Sequence, residues 1–161
     1  MTREFKYSYE IVDGVFKIKF IGSLSEGSRL KGLEEIVSDK DIPVEIIMTE
    51  LTQMNSTGIK AWIDFLAHLK ESLPVSLVDI STQVVENMNL IHYLAKRCDV
   101  ISFRAPYVCE DCGHFEEVLL ESKNCLESGE PTVPVVACPK CENPEMELDE
   151  LEDQYFNFLT P

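Results

Sequence analysis

The chain has 161 residues, 45% of them hydrophobic, a length suited to one domain or to a small domain with an appendage, and enough apolar content for a packed core. Its 14 Lys and Arg against 29 Asp and Glu leave a formal net charge of −15, which excludes the basic face that nucleic acid or an anionic membrane surface would require. A protein or a small ligand is left as the partner class. The acidity is uneven: residues 1–106 hold 15 acidic and 12 basic residues, whereas residues 107–161 hold 14 acidic residues against only Lys123 and Lys140. This break predicts two units, 1–106 and 107–161.

Glu4 to Ile11 alternates, with Phe5, Tyr7, Tyr9 and Ile11 on one side, and Asp13-Gly14 follows as a tight-turn dipeptide. Val15 to Gly22 alternates again, so the two segments predict an antiparallel hairpin with one face in a core. Leu24, Leu30, Leu33 and Ile36 predict a weakly amphipathic helix over Ser23–Val37. Val44-Glu-Ile-Ile-Met48 is nearly unbroken in apolar character and predicts a central strand covered on both faces. A helix is expected over Asn55–Ser72, a buried strand over Val75–Ile80, a helix over Thr82–Lys96 and a last strand over Asp99–Arg104. A leading hairpin followed by alternating α and β units implies an α/β fold, a mixed sheet with helices packed against it.

The span from Val15 to about Pro106 resembles a STAS domain, the fold of bacterial anti-sigma-factor antagonists and of sulfate-transporter tails. The resemblance rests on the segment Val15-Phe-Lys-Ile-Lys-Phe-Ile-Gly-Ser-Leu24, the buried central strand, and Leu51-Thr-Gln-Met-Asn-Ser-Thr-Gly58 running into a helix. Family members usually carry Asp-Ser-Ser-Gly where this chain has Asn55-Ser56-Thr57-Gly58. The resemblance implies that Thr57, at the second hydroxyl position, is the phosphoacceptor, with Ser56 beside it. It also implies an anti-sigma factor or related serine/threonine kinase as partner. Taken without the resemblance, Asn55, Ser56 and Thr57 are ordinary helix caps and Gly58 relieves crowding.

In the second unit, Cys109-Glu-Asp-Cys112-Gly113 is matched by Cys138-Pro-Lys-Cys141. Two Cys-x-x-Cys pairs from separate segments bring four thiolates to a tetrahedral shell, a structural Cys₄ zinc site with no open position for substrate. The pairs and their spacing resemble a zinc ribbon, with Phe115–Leu120 and Thr132–Val136 expected as its strands. His114 is a further candidate ligand, set against a solvent-facing imidazole. Cys98 reads as a small buried hydrophobe and Cys125 as part of a polar loop. His68 and His92 fall within helices without a partner in view. Leu148, Leu151, Tyr155, Phe158 and Leu159 predict an acidic amphipathic helix over Glu145–Leu159, folded back on the protein or docking into a partner's groove.

No apolar stretch resembles an export signal or a spanning helix, so a cytoplasmic location is expected, one in which paired cysteines hold metal rather than form disulfides. No nucleophile–base constellation and no glycine-rich phosphate loop is present, so the expected role is non-enzymatic. The expected function is that of a regulatory protein-binding module released by phosphorylation. A constitutive scaffold and a small-ligand sensor are the alternatives, and self-association as a homodimer stays open.

Overall fold

Asp13 and Gly14 both adopt positive φ, 51° and 77°, as a two-residue hairpin turn between twisted strands requires. Strand β1 (Lys6–Val12) therefore folds back antiparallel on β2 (Val15–Leu24), with Val12 opposite Val15. The computed structural model describes residues 3–26 and 30–161. From β2 the sheet continues in parallel through β3 (Val44–Met54), β4 (Val75–Val78) and β5 (Asp99–Val100), in the order β1-β2-β3-β4-β5. Parallel neighbours need crossovers. These are α1 (Lys31–Ser38), α2 (Ser56–His68) and the pair α3 (Thr82–Leu90) and α4 (His92–Arg97).

Burial follows the period of two. Phe16, Ile18, Phe20, Val44, Ile46, Met48, Val75 and Leu77 are buried on one face, in one core with Leu33, Trp62, Phe65, Val85, Met88 and Leu94 from the helices. The opposite face is only half-covered, which corrects the expectation that the central strand is enclosed on both sides. Ile47 lies in register with Lys19, and Glu45 pairs with Lys17 at 3.2 Å. Lysine stems shield this face while their charged ends stay in water.

Three helices are shorter than expected. Ser23 and Leu24 belong to β2, which continues through a register shift after Gly22 (φ 86°); residues 27–29 of the expected Ser23–Val37 helix lie outside the described residues. α2 stops at His68 rather than Ser72. The helix expected over Thr82–Lys96 breaks at Ile91. Asn87 and Asn89 are weak helix formers there, and Asn89 is engaged elsewhere. Its amide donates to the Tyr155 carbonyl at 2.9 Å and accepts the Phe158 N–H at 2.8 Å.

The last expected strand divides at Ile101, which is 49% exposed. β6 (Ser102–Val108) then joins a second sheet, flanked by β7 (Phe115–Glu121) and β10 (Glu147–Leu148) in the order β10-β6-β7. The boundary expected after residue 106 thus falls inside β6. Phe103 of this strand meets Phe156 and Phe158 edge-on, at ring separations of 5.7 and 5.0 Å. Where the sheets meet, Arg104 donates twice to the Asp79 carboxylate, at 2.8 and 3.1 Å.

Between β7 and β10 the chain forms a short 3₁₀ turn (Ser122–Asn124) and a small hairpin of β8 (Leu126–Glu127) and β9 (Glu130–Pro131). Thr132–Val136 is not a strand. Only Val136 bridges to Met146, because Pro134 has no N–H to give a ladder. The acidic helix expected over Glu145–Leu159 is likewise absent as a unit. Glu147 and Leu148 pair with β6, and only α5 (Glu152–Tyr155) and a 3₁₀ turn (Asn157–Leu159) are helical. Like charges three and four residues apart disfavour a continuous helix through this acidic run, while β6 offers an open edge. Tyr155, Phe156 and Phe158 still fold back into the core. No helix among the described residues is long and apolar enough to cross a membrane.

Candidate metal centre and the turn after the central strand

The end of β6 delivers Cys109, and the Val136 bridge delivers Cys138. Each then enters a knuckle of the same design. The Cys109 N–H donates to the His114 carbonyl and the Cys138 N–H to the Asn143 carbonyl, both at 2.8 Å. The residue after the second cysteine takes positive φ in both, Gly113 at 70° and Glu142 at 64°. Glycine adopts this conformation freely, and glutamate does so at a cost.

The two knuckles bring the sulfurs of Cys109, Cys112, Cys138 and Cys141 within 4.8 Å of one another. Cys109 Sγ lies 3.5 Å from Cys141 Sγ, and Cys112 Sγ lies 3.7 Å from Cys138 Sγ. A tetrahedral ion with metal–sulfur bonds of about 2.3 Å needs sulfur–sulfur edges of about 3.8 Å. The four cysteines fit such an ion and could hold it; their closed donor set is compatible with a zinc ribbon. Cys109 and Cys138 are buried, whereas Cys112 and Cys141 face solvent. The backbone N–H of Cys112 brings the Cys109 thiol down to about 6, against the opposing effect of burial and with help from the Cys141 sulfur. Against the lowering effect of the Asn143 backbone N–H, the same contact pushes the Cys141 thiol up to about 12, and Cys112 is raised as well. Among these three, the thiolate form that a metal binds is favoured at Cys109 alone.

Asn143 ties the two knuckles together. Its backbone carbonyl serves Cys138, its side-chain N–H points at Cys109 Sγ at 3.7 Å, and its side-chain oxygen accepts the Glu145 N–H at 3.0 Å. Outer partners of this kind orient ligands and tune affinity. Asn143→Ala is therefore expected to weaken metal binding about 10- to 100-fold in competition with a chromophoric chelator. An unchanged competition curve would remove the side chain from the site.

His114 is not in the sulfur cluster. It is half-buried and lies 3.4 Å from Glu116. Cys98 is buried as expected, its thiol pushed up to about 12 by burial. Cys125 departs from expectation: it is fully buried, its thiol raised to about 11 by burial. Glu147 of β10 sits beside Glu110 of the first knuckle, whose charge raises the Glu147 carboxyl above its usual range.

The second candidate site is the turn from β3 into α2. Asn55 is extended (φ −94°, ψ 177°) and its side-chain oxygen accepts the Gly58 N–H at 2.8 Å, capping the helix. Its own N–H donates to the Leu24 carbonyl at 3.2 Å, which ties the turn to the end of β2. Ser56 and Thr57 are exposed on the first turn, and Gly58 is buried. No hydrogen bond or ion pair among the described residues joins this turn to the cysteine cluster.

Sequence reasoning missed the Asp79–Arg104 pair, the Asn143 bridge, and the Tyr155 hydroxyl that donates to the Arg104 carbonyl at 2.6 Å. The first and last join residues far apart in the chain and leave no local pattern. The matching position of Asn143 after Cys141, and of His114 after Cys112, was the one available signal. The fold and site define an α/β protein with a mixed five-stranded sheet and a Cys₄ centre. No family model matches the chain, and no curated protein matches it in sequence.

Proposed function

We propose that this chain is a non-enzymatic regulatory module, a STAS-like domain that binds a protein partner through the β3–α2 turn and is switched by phosphorylation at Thr57. A structural zinc ion at Cys109, Cys112, Cys138 and Cys141 orders its C-terminal segment. The observation that carries this reading is the Asn55–Gly58 turn. It exposes two hydroxyls at the start of a 13-residue helix, with no acidic residue in the first turn. A phosphate on Thr57 brings about −1.5 to −2 charges to a unit whose acids and bases nearly balance, and so changes the docking surface by a large fraction. The helix dipole and its open N–H groups favour an anion at that place. The hairpin followed by parallel strands supports the STAS-like reading. Closed thiolate ligation supports zinc in a reducing, cytoplasmic setting.

The partner class is an anti-sigma factor or a related serine/threonine kinase. The test is phosphosite mapping after incubation with the kinase partner and ATP, together with partner affinity for Thr57→Ala and Thr57→Glu. Modification at Thr57, retained binding by Thr57→Ala and loss of about tenfold or more in Thr57→Glu are expected. An unmodified Ser56 and Thr57, or equal binding by both variants, would overturn the switch and leave a scaffold.

A further inference from the structure

The five-stranded sheet ends on β1, whose outer edge has no partner strand among the described residues. Val12 faces Val15 across the two-residue turn, so these two exchange hydrogen bonds, and bonded and unbonded pairs alternate from there. Glu10, Ser8 and Lys6 thus bond to β2, while Ile11, Tyr9 and Tyr7 turn their N–H and C=O groups to the open edge. The neighbouring strand agrees: Phe16, opposite Ile11, gives its N–H to the Pro43 carbonyl on the β3 side at 2.8 Å. Pairing with β2 is unbroken over all seven residues, and β1 has no proline, glycine or bulge to blunt its edge. Tyr9 and Ile11 are 48% and 52% exposed, although they share a face with the buried Ile18 and Phe16 that they oppose.

This edge is complementary to itself. About a two-fold axis at Ser8, a second β1 runs antiparallel with Ser8 facing Ser8, and with Tyr7 facing Tyr9 and Lys6 facing Glu10 twice each. The register also suits the backbone, because Tyr7 and Tyr9 then form the hydrogen-bonded pairs and Lys6 and Glu10 the closer, unbonded ones. Aromatic and opposite-charge cross-strand pairs both strengthen a ladder. Neither Lys6 nor Glu10 has an ion-pair partner among the described residues, and the nearby Lys17 and Lys19 are taken by Glu45 and Glu50. The outer strand β7 is unsuited to a copy of itself, since it carries Glu116, Glu117 and Glu121 and no basic residue. The strongly acidic second unit adjoins the other side of the sheet, where Ile80 bridges Phe103. A pair joined at β1 therefore keeps the two acidic units apart.

We propose that β1 binds the β1 of a second copy of this chain, antiparallel about Ser8, so that two five-stranded sheets join into one of ten strands. Backbone pairing supplies affinity, and the Tyr7–Tyr9 and Lys6–Glu10 pairs select the register. Tyr9 and Ile11 gain cover from the partner's Tyr7 and Phe5. No residue of the Thr57 turn enters this contact, so neither reading depends on the other.

The test uses the metal-loaded full chain, followed by sedimentation velocity over a range of concentrations. Lys6→Glu and Glu10→Lys, each alone, set like charges opposite one another twice and should weaken the dimer about tenfold or more, although they shift net charge in opposite directions. The double variant restores both pairs with reversed sign and should return the dissociation constant to within about twofold of the parent. Ser8→Cys places two thiols beside the axis and should give a covalent dimer under mild oxidation. Glu10→Cys, displaced along the strand from its copy, should not. A chain that is monomeric at every concentration, or a double variant as weak as the single ones, would overturn the proposal. So would cross-linking of Glu10→Cys as strong as that of Ser8→Cys. Lys6, Ser8 and Glu10 have exposed side chains and bond to β2 through the backbone, so their replacement leaves the hairpin in place.

Discussion

Stripping metal from the full chain is expected to unravel the knuckle region while sparing the five-stranded sheet. The binding free energy of a structural zinc, about 10–16 kcal/mol, acts as folding free energy for the segment it orders. The two knuckles have little else, although β7 and Tyr155, Phe156 and Phe158 are held by β6 and the core. The strands β8, β9 and β10 are two residues each, and both knuckles hang on the sulfur cluster. Hydrogen exchange should show loss of protection at Cys109 and Cys138, whose N–H groups close the knuckles. Ile46 and Leu77, in the centre of β3 and β4, should keep theirs. Cys109→Ser should reproduce the effect, whereas Cys98→Ser and Cys125→Ser should leave metal content unchanged, because neither lies in the cluster. Retained protection at Cys109 after complete metal removal would show that side-chain packing alone holds the knuckles. Loss that reached Ile46 would show that both sheets unfold together through Phe103, Phe156 and Phe158.

Gly58→Ala is expected to be the most damaging small substitution near the β3–α2 turn. A Cβ at this position would overlap the carbonyl oxygen of Leu24 and lie 3.0 Å from the Ser25 nitrogen. Overpacking costs about 1–3 kcal/mol where side chains can shift. Here the obstacle is backbone, and the same Leu24 carbonyl accepts the Asn55 N–H, so the upper end is expected. Separating helix from strand would break that bond and move Ser56 and Thr57 with it. Thermal unfolding should show a midpoint several degrees lower than for Thr57→Ala, whose side chain is exposed. Equal midpoints would mean that the α2 start relaxes away from β2 without cost.

The same glycine shows how much was legible beforehand. Four residues, Asn55-Ser-Thr-Gly58, pointed to a helix start, and the cap from Asn55 to Gly58 is a local contact that spacing reveals. That Gly58 relieves crowding was legible; the group it makes room for was not, since that carbonyl belongs to Leu24, a strand away. The cysteines followed the same rule. Their Cys-x-x-Cys pairing announced two knuckles, while the exposure of Cys112 and Cys141 and the burial of Cys109 and Cys138 depended on how β6 and the Val136 bridge converge. Cys125 misled for a related reason: a polar stretch of sequence surrounds it, yet the turn at Ser122–Asn124 folds its thiol inward.

The amino-acid sequence by itself determined the features that arise within a few residues. These are the Asp13-Gly14 hairpin, the period-two burial of Phe16, Ile18 and Phe20, the capped start of α2, and the four cysteines. Tertiary structure decided everything in which one segment competed for several partners. β6 had an open edge, and it drew Glu147 and Leu148 out of a helix whose acidic residues repelled one another. Asn89 was bonded by Tyr155 and Phe158, and the long helix broke beside it. Thr132–Val136 had the residues of a strand, but Pro134 has no N–H to give a ladder and only Val136 found a bridge. Periodicity states which face of a segment seeks burial. Only the folded chain determines which backbone edge is left to receive another.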